Sequence, residues 1–304
     1  MITTPDGDTA MMPIGAVPRS DGESIGLVCN EVWGGNRIFQ GPIELPGLRG
    51  VLFSQPCEGG RGGDVHYLSV CGSGLISRVC LADVTGHGES VAAISQTMHD
   101  LLRRSVNRLD ERKVLRRLNL SLSKLDDGSF TTAAALTYFP PTRRLSISYA
   151  GHEPAWYYEA SSQRWSRFET AQRKGLFDIV LAADPRARYT RRVRRVAIGD
   201  RLLMITDGVL EAPNKTGELF GRERLANLLH NAQNQVPQTL VPAIIRALRE
   251  HTSGARLRHD DVSLLMIEFV DNLKNSTLWT ALRNRFLPRR SARNAFKATL
   301  PTIP

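Results

Sequence analysis

Cysteine is scarce. The 304 residues contain four, Cys29, Cys57, Cys71 and Cys80, with no C-x-x-C spacing among them. That excludes a disulfide-stapled miniprotein, argues against a zinc site, and fits reduced thiols in a cytosolic protein. Long apolar runs are missing as well, since no stretch approaches the roughly 18 residues of a membrane-spanning helix. The amino-terminal MITTPDGDTAMMPIGAVP has no basic segment leading into an apolar one, as a secretory signal would. The expectation is a cytoplasmic protein. Internal repeats and regular β-α-β alternation are also absent, which argues against a solenoid, a Rossmann fold or a TIM barrel. What remains, 41% hydrophobic and 23% charged residues, is an ordinary globular balance.

The net charge is +10, which on its face invites a nucleic-acid reading. Its position weakens that reading. From Asp271 to Pro304 seven cations stand against one acid, so six of the ten charges lie in a 34-residue tail. No nucleic-acid fold motif accompanies them, and no nucleic-acid partner is expected. In that tail Leu278, Trp279, Leu282 and Phe286 fall on one side of a helical pattern, with Arg283 and Arg285 away from it. Such a segment suits peripheral membrane or acidic-partner contact, or capping of its own domain.

Residues 1–48, rich in Gly, Pro and small polar residues, read as an extended lead-in. From residue 49 to 270 the texture is that of one folded domain, and 271–304 form the basic tail. Within the domain VLFSQ, VHYLSV and LISRVCLADV read as strands. Two helical patterns follow, with Val91, Ile94, Met98, Leu101, Leu102 and Val106 and then Val114, Leu115, Leu118, Leu122 and Leu125 recurring at three and four residues. Strands return in FTTAAALTYF, RLSISYA, PAWYYEA, RWSRFE, YTRRVRRVAI and RLLMIT. Helices near 222–231 and 237–251 precede a last strand, VSLLMIEFV. This order predicts a layered α+β domain.

Four carboxylate stations lie at strand ends. Asp64 closes GGD before a strand, Asp83 ends one in LADVTGHG, Asp207 ends another in LLMITDG, and Asp260 and Asp261 open the last. A lone strand-end Asp is ordinarily a turn residue. Four such stations clustered at one sheet edge would repel each other unless cations neutralised them. Hard divalent ions, Mg²⁺ or Mn²⁺, prefer such all-oxygen ligation. The pattern suggests a two-metal hydrolytic site.

In order, GGD (62–64), ADVTGHG (82–88), SFTTAAALTY (129–138), AGHEPAW (150–156), GDRLLMITDGVLEA (199–212), LFGRERL (219–225) and HDDVSLLM (259–266) resemble the SpoIIE-type branch of the metal-dependent, 2C-like serine/threonine protein phosphatases. The resemblance implies an α-β-β-α sandwich, two central antiparallel sheets flanked by helices, with two divalent cations, Mn²⁺ or Mg²⁺, at one end. It also implies hydrolysis of phosphoserine or phosphothreonine in a phosphorylated protein, in bacterial partner-switching signalling, with an anti-sigma-factor antagonist as a substrate class. The alternative is a catalytically weak phosphoprotein-binding scaffold on the same fold.

Carried over by residue, Asp83 would bridge both metals with the Val84 carbonyl beside it, Asp207 and Asp260 would hold the first metal, and Asp64 would serve the second. The resemblance would thus make Asp83 and Asp207 the central catalytic residues. Gly86, Gly208 and Asp261 would shape the surroundings. His87 is either a general acid or a structural turn residue, and His152 either orients substrate or satisfies a turn. Arg61 is either a bidentate phosphate donor or a solvated loop residue. Two departures stand out: GGD runs into Val65, His66 and Tyr67 instead of an aromatic pair and a second Asp, and no Pro-Leu-Gly turn is recognisable in KGLFDIVLAADP.

Overall fold

A computed structural model describes residues 31–33, 38–57, 62–71, 75–85, 89–125, 128–233, 235–254 and 257–271. The strands are β1 (Glu31–Trp33), β2 (Phe39–Leu45), β3 (Leu48–Gln55), β4 (Asp64–Val70) and β5 (Ser77–Val84), followed by helices α1 (Glu89–Arg104) and α2 (Glu111–Leu122). Then come β6 (Thr131–Phe139), β7 (Arg144–Ala150), β8 (Trp156–Glu159), β9 (Arg164–Arg167), β10 (Arg192–Arg195) and β11 (Arg201–Ile205), helices α3 (Gly221–Asn231) and α4 (Pro237–Thr252), and β12 (Val262–Phe269). They form two six-stranded antiparallel sheets, ordered β1-β4-β5-β6-β7-β10 and β2-β3-β12-β11-β8-β9.

Alternation along each strand splits most of the apolar residues into three main cores. Leu68, Val79, Leu81, Leu136 and Ile147 of the first sheet meet Leu52, Leu202, Met204, Leu265 and Ile267 of the second. The opposite faces carry Tyr67, Cys80 and Ala135 against Ile94, Met98, Leu115 and Leu118 of α1 and α2. Phe53, Leu203, Leu264 and Met266 pack likewise on Leu225, Leu240, Ile244 and Leu248 of α3 and α4. Each sheet is thus covered on both faces, giving the expected α-β-β-α sandwich.

The sheets begin earlier than expected. The stretch 1–48 is not all lead-in, because β1 pairs with β4 and β2 pairs with β3 along its whole length. Ile43 and Leu45 enter the core between the sheets. The domain boundary at residue 49 therefore moves back to take in both strands.

Charge is buried at one point under the helices. Arg78 on β5 is fully buried, its guanidinium donating to the Arg108 carbonyl in the connection between α1 and α2. Glu111, in the first turn of α2, is equally buried and accepts from Ser146 Oγ at 2.8 Å. Burial lowers the pKa of Arg78, with Glu111 the chief opposing influence. At the outer edge, β10 carries alternating side chains: Arg192 lies 4.5 Å over the Phe168 ring and Arg194 4.4 Å over Tyr157, while Val193 faces solvent. The arginine-rich strand is an edge strand whose inward arginines cover aromatic rings.

Candidate active site

The strand register brings the carboxylates to one end of the sandwich. In the β4–β5 ladder Asp64 stands directly opposite Asp83, and Asp83 stands opposite Thr132 across β5 and β6. All three occupy the side of the first sheet that faces the second. From the second sheet, Thr206 and Asp207 follow β11, and Asp260 and Asp261 precede β12, its antiparallel neighbour.

Hydrogen bonds tie the two sheets together there. Thr206 Oγ1 donates to Asp64 Oδ2 at 2.8 Å and accepts from the Ser263 amide at 2.9 Å. The other Asp64 oxygen is buried without a hydrogen-bond partner, and the residue is 2% exposed. Asp261 acts as a clip. Its carboxylate accepts from the Cys57 amide at 2.7 Å and from the Gly63 and Asp64 amides, holding the GGD turn against the start of β12. Glycines are needed at two close approaches: a Cβ on Gly63 would stand 2.3 Å from the Val84 carbonyl oxygen, and one on Gly208 would stand 2.0 Å from that of Asp261.

Burial and mutual repulsion act on the acids together. Burial first, then Asp207, Asp260, Asp261 and Glu211, push Asp83 up to about 7. Asp64 is raised by burial and by Asp83, Asp260 by burial and by Asp207, and Glu211 by burial and by Asp207 and Asp260. These carboxylates are therefore near enough to feel one another's charge. Among the described residues no three His, Cys, Asp or Glu side chains are already drawn up as a metal cage. The donor set still fits a hard divalent cation: carboxylate oxygens only, one of them orphaned at Asp64, destabilised by each other's charge.

A carboxyl whose pKa rises on folding stabilises the fold while it holds its proton. For Asp83 that contribution is present near its ordinary 3.8 and is lost as pH climbs through about 7. In chelator, the protein is expected to melt lower at pH 8 than at pH 5, by roughly 5 °C. Calorimetry at the two pH values checks the sign.

Of the residues singled out in the sequence, Asp64, Asp83, Val84, Asp207, Gly208, Asp260 and Asp261 come together here. His152 does not reach the surface where a substrate would meet it. It is 6% exposed, its Nδ1 lies 2.9 Å from Thr132 Oγ1, and burial lowers it to about 4. Arg61, Gly86 and His87 lie outside the described residues, as does the tail beyond Asp271. Glu211 was missed, although its place four residues after Asp207 puts it one turn along, where its amide bonds the Asp207 carbonyl at 2.8 Å. His66 was noted only as a departure from the motif; it is wholly buried on the Asp64 face of β4, 5.8 Å from the Phe39 ring.

Residues 77–270 match the family model described as Stage II sporulation protein E (SpoIIE). The chain is 26% identical over 196 residues to the phosphoserine phosphatase RsbP of Bacillus subtilis (strain 168), covering 62% of this chain and 45% of that protein. It is 28% identical over 195 residues to the phosphoserine phosphatase RsbU of the same organism, covering 62% and 54%. It thus spans about half the length of these relatives. Among solved structures, the RsbU and RsbW domains of Rv1364c from Mycobacterium tuberculosis superpose with a TM-score of 0.62 at 21% identity, covering 77% of this chain and 63% of that one.

Proposed function

This chain belongs to the SpoIIE family, and from that premise we propose that it is a metal-dependent phosphoprotein phosphatase acting on phosphoserine or phosphothreonine. What supports the reading is that the strand register brings Asp64 and Asp83 opposite each other and Asp207 and Asp260 to neighbouring strand ends, where burial and mutual charge raise Asp64, Asp83 and Asp260. Two divalent cations, Mn²⁺ or Mg²⁺, would supply activation of an attacking water and neutralisation of the phosphoryl oxygens when bound there.

The residues divide the work. Asp83, between the two sheets' contributions, would serve both cations with the Val84 carbonyl beside it; Asp207 and Asp260 would hold one, and Asp64 the other. Thr206 orients Asp64 by taking one of its oxygens and leaving the second free. Asp261 spends its oxygens on backbone amides, so it fixes the GGD turn instead of facing a cation. His152 holds Thr132 opposite Asp83 and stays neutral, a positioning role. No protein nucleophile is required by this arrangement.

The substrate class follows the family resemblance: a phosphorylated protein in bacterial signalling, an anti-sigma-factor antagonist being the type implied. A cytoplasmic setting is part of the same reading; among the described residues no helix is long and apolar enough to cross a membrane. The test is phosphate release from a phosphoserine peptide with Mn²⁺. Turnover that chelator abolishes and Mn²⁺ restores is expected, and Mn²⁺ should also raise the melting temperature more at pH 8 than at pH 5. Stoichiometric binding of the phosphopeptide without release would instead make the chain a phosphoprotein-binding scaffold.

A further inference from the structure

Hydrogen bonds continue past the last pair of β5 and β6. Beyond Asp83 opposite Thr132 and Val84 opposite Thr131 comes Thr85 beside Phe130, joined by three hydrogen bonds. The Thr85 amide and its hydroxyl both donate to the Phe130 carbonyl, at 2.9 and 2.8 Å, and the Phe130 amide donates to the Thr85 hydroxyl oxygen at 2.8 Å. On the other side, Thr131 exchanges backbone hydrogen bonds with Leu181, at 2.8 and 3.3 Å. The backbone at Phe130 is therefore tied to Thr85 on one side and, through Thr131, to Leu181 on the other.

Its side chain is not covered. Phe130 is 47% exposed, while the residues after it on β6 are nearly all buried. Phe130 lies two residues before Thr132, the partner of Asp83, so its backbone stands about 7 Å along the chain from that pair, just past the last residues of the ladder. A phosphoserine whose phosphate sat at the Asp83 end of the sandwich would carry its chain neighbours within reach of this spot, because an extended peptide advances about 3.3 Å per residue. The carboxylates there offer a peptide side chain only negative charge. Phe130 offers a rigid apolar surface, and fixed aromatic anchors of this kind concentrate binding energy in protein recognition.

We propose that Phe130 is a specificity-determining residue that seats an apolar side chain flanking the phosphoserine of a protein substrate, an inference that rests on the phosphatase reading above. The experiment compares three substrates with Mn²⁺: a phosphoserine peptide flanked by leucine, the same peptide flanked by glycine, and p-nitrophenyl phosphate. Wild type is expected to favour the leucine peptide by about tenfold in kcat/KM, chiefly through KM, the usual worth of one well-seated apolar group. Phe130→Ala should erase that preference and leave the other two substrates within about twofold. Phe130→Leu should restore part of it. An equal loss on all three substrates, or a leucine preference that survives Phe130→Ala or is missing from wild type, overturns the assignment while leaving the phosphatase intact. Absence of turnover on every substrate by wild type removes the phosphatase reading and this inference with it.

Discussion

Asp83→Asn is expected to lower metal-dependent phosphate release by about a thousandfold while making the metal-free protein harder to melt. The two effects come from the same charge. Asp83 faces Asp64 across one ladder and feels Asp207, Asp260, Asp261 and Glu211 from the other side, which with burial raises its pKa to about 7. Removing that carboxylate relieves repulsion among the rest, so the melting temperature in chelator at pH 8 should rise. Without it the site would lose the acid proposed to serve both cations, so the gain from added Mn²⁺ should shrink. Activity against a phosphoserine peptide and paired melts in chelator and Mn²⁺ read both halves. A variant that keeps wild-type turnover, or one whose metal-free form melts lower than wild type, would show that Asp83 is an ordinary turn residue.

Glu111→Ala is expected to cost about 3 kcal/mol of folding stability, the second large effect. Both Glu111 and Arg78 are fully buried beneath the helix layer, and Glu111 is the main influence holding the Arg78 charge. Truncating the acid strands a guanidinium in an apolar surrounding and leaves Ser146 without its acceptor. Urea unfolding measures the loss. Replacing both charges together, Arg78→Met with Glu111→Leu, should recover most of it, since two buried opposite charges stabilise little over well-packed apolar groups. If the double variant is as unstable as the single one, packing and not charge is what Glu111 provides.

These two residues also mark where the sequence stops being legible. Strands ending in Asp, and helices with apolar residues at three and four, were readable because each element has one dominant period. Arg78 was not readable as buried, for LISRVCLADV looks like a strand with one face in solvent, and only the docking of α1 and α2 covers that face. β2 was lost for another reason. FQGPIEL contains Gly41 and Pro42, which read as strand breakers, yet β2 is the outermost strand of its sheet, where a missing amide is tolerated. The acids of the site were legible from their strand-end positions, but not their convergence, which depends on how two sheets stack. His152 and His66 could not be graded from the chain, because burial, which decides their protonation, is set by residues far away in sequence.

The clip made by Asp261 has a consequence for how the molecule comes into being. It joins Gly63 to a residue 198 positions later. Closing so long a loop is entropically slow compared with forming the local pairs β4–β5, β5–β6 and β6–β7. The acidic site is thus among the last features to assemble, waiting on β12. A nascent chain still lacking that strand carries Asp64, Asp83 and Asp207 without Asp260, Asp261 and the strand that docks beside them, so the acids are gathered only after synthesis has passed β12.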